Sequence, residues 1–343
     1  MPTASIQSPG TRISLESERL VAVIPPQDVG QTRETRRDIP LRDLERMVMG
    51  EGVSVTSPAL MEMLRRHIPI SFIDARGRFL GSFQPAAPDH GAARLRHFQR
   101  SLEPAFAMTL ARELIAAKVH NQRRLVQRVA ANRRAEDRRV EPIVPASLAA
   151  MDQCAASITR ADAIETLRGH EGMAAARYFA AWATLLSEEF PFQRRSTRPP
   201  LNPVNAVLSF SSTLIYTEMH TFLHAHGLDA ALGLLHTTEN GRWALALDLM
   251  EPFRPVIAEA LTLDLFSHKM LNATHFEPQK GGIYLTREGR NKLILQYEKR
   301  MERQFLCEQI AHRTTLRQQL ENHAIRFKAA LDDPDAFIAF RMN

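Results

Sequence analysis

The sequence predicts an α+β protein of more than one domain, with a small β-rich part first and a larger helical part after it. Three observations lead there. Between Arg12 and Phe83 the apolar residues alternate or come in short β-branched runs. The stretch "QPAAPDHGAA", residues 84 to 93, then breaks that pattern with prolines and a glycine. Beyond it, apolar residues recur three and four apart, the helical period. At 343 residues the chain exceeds the usual size of a single domain, so two cores are expected. The expected division is residues 1–84 for the β-rich part, 85–94 for a linker and 95–343 for the helical part.

Taken in order, "TRISLESERLVAVI" (11–24) alternates and then saturates with β-branched residues, and "GVSVT" (52–56) is a second short run. "IPISFIDARGRFLGSF" (68–83) reads as two strands joined by a turn at Ala75-Arg76-Gly77. Between these, "SPALMEMLRRH" (57–67) starts a helix, with Ser57 as N-cap and Pro58 at the first helical position. Helical spacing then covers Leu95 to Arg139, Ala146 to Ile158, Ile164 to Leu186, Val204 to His226 and Asn291 to Leu331. One exception is "GGIYLTREGRNKLI" (281–294), where Ile283, Tyr284 and Leu285 look like a short strand or hairpin. "GRWALALDLMEPFRP" (241–255) is apolar and strand-like from Ala244 to Leu247, then ends in two carboxylates and a double-proline break.

The chain carries 44 Lys and Arg against 38 Asp and Glu, a net charge of +6. Between Ala117 and Arg139 eight basic residues face two acidic ones, so this segment supplies an excess equal to that of the whole chain. A local basic stripe is the footprint of a polyanion partner, although a solvated arginine-rich helix face would look the same. Cys154 and Cys307 stand far apart in no metal-ligand spacing, which argues against a disulfide framework or a structural zinc site. The first fifteen residues lack an apolar core, and no apolar run approaches the roughly 18 residues of a membrane span, so a cytoplasmic protein is expected, with no membrane partner.

Three places in the helical part offer metal ligands. Glu171 heads an Ala-rich helix in "LRGHEGMAAARYF", with Gly172 leaving its approach uncluttered; His236 ends the apolar stretch "GLDAALGLLHTT"; Asp248 and Glu251 close the stretch 241–255. On a helical turn, positions three apart share a face, so both carboxylates could point at one spot. Pro252 and Pro255 stiffen the turn. Carboxylates with one imidazole suit Mg²⁺ or Mn²⁺ and tolerate zinc, and such an ion beside a basic stripe points to phosphodiester chemistry. Each residue also has an ordinary reading: a helix-start Glu complements the dipole, a lone His packs, an Asp-x-x-Glu is solvated. His220 and His224, with His226 following, have a spacing that can clasp zinc, but no HExxH glutamate lies between them. No GxSxG, P-loop, GxGxxG after a strand or activated cysteine is present, so any catalysis would fall to a metal.

Several stretches resemble one family. They are "IPLRDLERMVMGEGVSV" (39–55), "IPISFIDARGRFLGSF", "HEGMAAARYF" (170–179), the long run from "NPVNAVLSF" at 202 to "DLMEPFRP" at 255, and "GGIYLTREGRNKLI". The family is the CRISPR-associated integrase subunit, the metal-dependent DNA endonuclease that inserts new spacers into a CRISPR array in adaptive antiviral defence. The resemblance is collinear from about Arg12 over nearly the whole chain. It implies a β-sandwich-like N-terminal domain that dimerises, an all-α catalytic domain and an obligate homodimer. Carried over by position, it implies Glu171, His236 and Glu251 as ligands of Mg²⁺ or Mn²⁺, with Asp248 in support. Glu251 stands where some relatives have Asp, and Ala230 where Pro or Ser is expected. The implied reaction is attack of a DNA 3′-hydroxyl on a phosphodiester at the edge of a CRISPR repeat. Arg177, Tyr178 and Arg254 could reach a phosphate, and Arg123, Arg124 and Arg128 are the expected backbone contacts on double-stranded or branched DNA. A small ferredoxin-like CRISPR-associated partner is implied as well, contacting the helices from about Tyr297 onward. Without the resemblance, a non-enzymatic helical DNA-binding protein and a metal hydrolase of small phosphate esters would compete. Metal-dependent nicking of duplex DNA separates the first, and preference for branched or repeat-bearing DNA the second.

Overall fold

Short β-branched runs need neighbours to satisfy their backbone groups, and the N-terminal strands find them in two four-stranded sheets. A computed structural model describes residues 3–26, 33–74, 79–86 and 90–343. The chain divides into two units, Met1–His90 and Gly91–Asn343. In the first, β2 (Arg12–Glu16), β3 (Arg19–Ile24) and β4 (Thr35–Pro40) form an antiparallel meander, extended by β6 (Ser54–Val55) running parallel to β2. The second sheet has the order β1 (Thr3–Ile6), β5 (Arg46–Gly50), β7 (Ile70–Ile73), β8 (Phe79–Phe83), parallel except for the last pair. One core gathers Ile13, Leu20 and Ala22 from the first sheet, Met47, Met49 and Ile70 from the second, and Ala59 and Met63 from α1 (Ser57–Arg65). The cap of α1 is Thr56 rather than the expected Ser57, and Pro58 lies in the first turn. The turn expected at Ala75-Arg76-Gly77 lies outside the described residues, although β7 and β8 do pair antiparallel.

Of the expected linker, 85–94, residues 87–89 lie outside the described residues, and α2 (Gly91–Ser101) already begins within it. The helical unit continues with α3 (Pro104–Ala135), α4 (Ile143–Ile158), α5 (Ile164–Ala183) and α6 (Pro203–Ala225). The stretch 95–139 is thus two helices, because Pro104 opens a helix readily and cannot continue one. Asn202 caps α6 by accepting from the amide of Asn205 at 2.8 Å.

The segment 244–247 is not a strand. Ala244–Met250 is a helix, α7, and all its residues but Leu247 are buried, so no polar face betrays the helical period. A 3₁₀ turn at Glu251–Phe253 and a π turn at Pro255–Glu259 lead into α8 (Ala260–Ser267). Irregular helical turns of this kind often mark functional sites.

The run at 283–285 forms β10 (Gly282–Leu285), paired with β9 (Phe276–Gln279). The last helical pattern is interrupted: α9 (Arg287–Glu302) and α10 (Leu316–Ala330) flank a hairpin of β11 (Phe305–Cys307) and β12 (His312–Thr314). The larger unit is therefore predominantly helical, with two small hairpins. Among the described residues, no helix is long and apolar enough to cross a membrane.

Candidate active site

Lys118 is the residue the sequence conceals. It lies among the basic residues of the stripe, yet it sits on the buried face of α3 with Leu114, Ile115, Ala117, Asn121 and Leu125. That placement was its one available signal, a lysine falling in the apolar period. A buried ammonium must be compensated. Its Nζ lies 2.5 Å from Oε1 of Glu171 on α5 and 2.6 Å from Oε2 of Glu251 in the 3₁₀ turn. Two carboxylates 80 positions apart in sequence thus share one cation.

Arg254, one turn after Glu251, donates from Nη1 to Glu251 Oε1 at 2.9 Å. Burial disfavours the Glu251 carboxylate, but Arg254 and Lys118 outweigh it and hold the pKa down at about 2. Burial likewise works against the Lys118 ammonium, and Glu251 and Glu171 together hold it above the usual lysine value. Behind Arg254 lies Glu259, whose carboxyl burial pushes up. The Tyr178 phenol, pushed well up by burial and then by Glu259, completes this inner layer.

His236 enters from the irregular segment between α6 and α7, and Asp248 sets its position. Asp248 is fully buried and accepts from the amides of Leu234 (2.6 Å), Leu235 (2.9 Å) and His236 (3.0 Å), while its Oδ1 also bonds His236 Nδ1. With Nδ1–H donating to the carboxylate, Nε2 keeps its lone pair for a cation or proton. Gly233 makes this cradle possible: a Cβ there would lie 2.3 Å from the His236 carbonyl oxygen and 2.6 Å from Ala244 Cβ. Arg168 secures the same loop by donating to the Leu235 carbonyl. His236 is also close enough to lower the pKa of Glu251.

The four expected site residues are therefore sorted by the fold. Glu171 and Glu251 meet at a cation, and Asp248 holds His236. The two carboxylates expected to share one spot have different direct partners: Asp248 the loop amides and His236, Glu251 the cations Lys118 and Arg254. Exposure is graded across the site: the side chains of Glu251 and Lys118 are 6% and 7% exposed, those of Glu171 and His236 24% and 29%.

Of the expected DNA contacts, Arg177 and Arg128 are exposed. Tyr178 is fully buried, so it presents no surface to a phosphate and belongs to the layer beneath Arg254. Arg254 is committed to Glu251. Arg123 pairs with Asp152 at 2.8 Å and Arg124 donates to the Asn343 carbonyl at 3.0 Å. Arg124 and Arg128 line a cleft of about 730 Å³ with Lys299, Arg300 and Arg303. Arg133, also in the stripe, caps the end of α5 through the carbonyls of Thr184 and Leu185. His220 stacks on Trp243 with ring centroids 3.7 Å apart, and burial pushes its imidazole down to about 3. That is a packing role.

Among the described residues, no three His, Cys, Asp or Glu side chains stand close enough to hold a metal ion. The donor set nevertheless fits one. Two carboxylates already converge on a cation, Glu251 Oε2 meets the ammonium without accepting an aligned hydrogen bond, and an imidazole with its Nε2 available stands near.

Fold and site together define an α+β protein of two units whose helical unit gathers two glutamates on a buried lysine beside an aspartate-held histidine. The profile of the CRISPR associated protein Cas1 family matches residues 5–299, and the chain belongs to that family. It is 32% identical over 288 residues to the CRISPR-associated endonuclease Cas1 3 of Thermus thermophilus, covering 83% of this chain and 82% of that one. It is also 32% identical over 327 residues to a CRISPR-associated exonuclease Cas4/endonuclease Cas1 fusion of Rhodospirillum rubrum, covering 93% of this chain and 53% of the fusion. The chain thus spans about half the length of that fused relative. In fold it is similar to TM1797, a Cas1 protein from Thermotoga maritima, with a TM-score of 0.76, 21% identity and 100% of both chains covered. A casposase bound to integration product matches with a TM-score of 0.83 at 15% identity, over 99% of this chain and 93% of that one.

Proposed function

We propose that this chain is a divalent-metal-dependent DNA endonuclease and integrase, which inserts captured DNA fragments as new spacers into a CRISPR array. The observation that carries the reading is the convergence of Glu171 and Glu251 on one cation beside an aspartate-held His236. Family membership supports it, as do the relatives named endonucleases. Further support comes from fold neighbours described as a casposase with its integration product and as a Cas6-RT-Cas1–Cas2 complex.

Glu171, Glu251 and His236 would hold Mg²⁺ or Mn²⁺, which when bound supplies a Lewis acid for a phosphoryl oxygen and lowers the pKa of a bound hydroxyl. Arg254 fixes the Glu251 carboxylate, and Asp248 fixes the His236 tautomer and ring. The partly exposed edge at Glu171 and His236 is where a DNA strand would enter. Arg128 and Arg177 are exposed for phosphates, and Arg123 and Arg124 would exchange their present partners for them. The N-terminal unit would serve a homodimer, and the helices from Tyr297 onward a small ferredoxin-like partner.

A non-catalytic reading has one observation in its favour, the ammonium of Lys118 seated between the carboxylates as in a structural ion cluster. One experiment decides. Glu251→Ala and His236→Ala should each abolish Mn²⁺-dependent nicking of duplex DNA and strand joining, at least about a hundredfold, with the far-ultraviolet dichroism unchanged. Undiminished activity in either folded variant refutes the assignment.

A further inference from the structure

We infer that Lys118 is a displaceable internal counter-ion: its ammonium holds Glu171 and Glu251 together in the metal-free protein, and passes to a DNA phosphate when a divalent cation takes its place. This rests on the metal-binding reading of the site and adds what the protein does before the metal arrives.

Charge supports it. Around the shared position stand two carboxylates, Glu171 and Glu251, and two cations, Lys118 and Arg254, all in contact. These four charges cancel, with Glu259 standing behind Arg254. A divalent ion between the carboxylates makes a nearby ammonium redundant and repelled, and leaves an excess of positive charge that a phosphodiester answers.

The two cations also differ in what holds them. Arg254 donates an aligned hydrogen bond from a planar, rigid guanidinium. Lys118 donates to Glu171 Oε1 and meets Glu251 Oε2 at 2.6 Å, but as a point charge at the end of a flexible four-carbon stem rather than as a fixed fork. Of the two, Lys118 is the one whose stem can swing its charge elsewhere.

There is also somewhere to go. On the side of Glu171, Gly169 and Gly172 of α5 are exposed, and a Cβ added to either would meet nothing within 4 Å. A strand can approach the carboxylate there within reach of a lysine side chain. Because linkage is reciprocal, a phosphate that draws the ammonium outward must tighten metal binding by the same factor as metal tightens DNA binding.

The test uses the full chain and Mn²⁺ alone as the probe, with free Mn²⁺ followed by electron paramagnetic resonance. Lys118→Met should bind Mn²⁺ at least tenfold more tightly than wild type, and Lys118→Arg no more tightly. Equal or weaker binding by Lys118→Met, with wild type binding normally, overturns the inference and leaves the metal site standing. If neither protein binds Mn²⁺ and His236→Ala changes nothing, the metal site itself fails and the inference with it. A measurement on wild type covers the case in which Lys118→Met does not fold. Saturating Mn²⁺ should raise amine-directed acylation of Lys118, read by mass spectrometry, at least fivefold; unchanged labelling overturns the displacement. Adding a short duplex should tighten Mn²⁺ binding to wild type more than to Lys118→Met, and equal tightening in both removes the transfer to phosphate.

Discussion

Asp248→Asn preserves shape and removes one charge, which makes it the most direct test of how His236 is held. The carboxylate serves four donors at two oxygens: the amides of Leu234 and Leu235 at Oδ2, and the amide and ring Nδ1 of His236 at Oδ1. An asparagine has one acceptor oxygen. Whichever way it is turned, its NH₂ faces two donors, so two hydrogen bonds are lost and buried N–H groups are set against each other. At about 1.5–3 kcal/mol for each charge-assisted bond, the loss comes to roughly 3–6 kcal/mol. For a unit of this size that lowers the melting temperature by on the order of 10 °C. The imidazole also loses the partner that fixes its tautomer, which costs about 10- to 100-fold in metal affinity or activity. Calorimetry without metal and Mn²⁺-dependent nicking, run on the same preparation, measure both. A melting point within about 2 °C of wild type, together with full activity, would show that Asp248 does not orient His236.

Three further outcomes follow from the same geometry. Gly233→Ala forces a Cβ against the His236 carbonyl and Ala244, so nicking should fall at least about tenfold while DNA binding holds; equal activity would mean the loop relaxes freely. The double variant Arg124→Ala with Arg128→Ala should reduce the slope of log K for DNA against log salt by about 2, and an unchanged slope removes both from the phosphate contacts. Burial pushes His220 and His323 down to about 3 from 6.5. The unfolded chain binds these protons near 6.5 and the folded chain does not, so stability is complete above that pH and falls as pH drops. The fall is about 1 kcal/mol per pH unit for each group, and below 4.5 Glu251 adds to it in the same direction. Urea melts at pH 7 and pH 5.5 that coincide would contradict this.

What could be read in the sequence depended on whether an element keeps a wet face. The strands β2 and β3 and the amphipathic helices do, and their periods show. The strand β5 does not: Arg46 to Gly50 is buried throughout, between parallel neighbours β1 and β7, so it neither alternates nor announces itself. The helix α7 failed for the same reason, and its Ala-Leu-Ala-Leu imitates a strand. At the site, Glu171, His236 and Glu251 could be named from the resemblance and from donor chemistry. The division of labour between Asp248 and Glu251 could not, because it depends on partners distant in sequence, the loop amides of 234–236 for one and Lys118 for the other. Lys118 was hidden by its neighbours: in a stripe of arginines the eye counts charge, and only its place in the apolar period marks it as buried.

The helix α3 spans 32 residues, about 48 Å at 1.5 Å per residue. Along a single stretch of it, Lys118 grips the two glutamates, Asn121 donates to the carbonyls of Pro252 (2.7 Å) and Phe340 (3.0 Å), and Arg124 holds Asn343. Three attachments on successive turns of one rod share a single backbone register. A slip of one residue's rise would break all of them, so the seating of residues 340–343 and the gap between the carboxylates are gauged by the same ruler. Loosening that terminal segment should therefore blunt the chemistry well before it unfolds the protein.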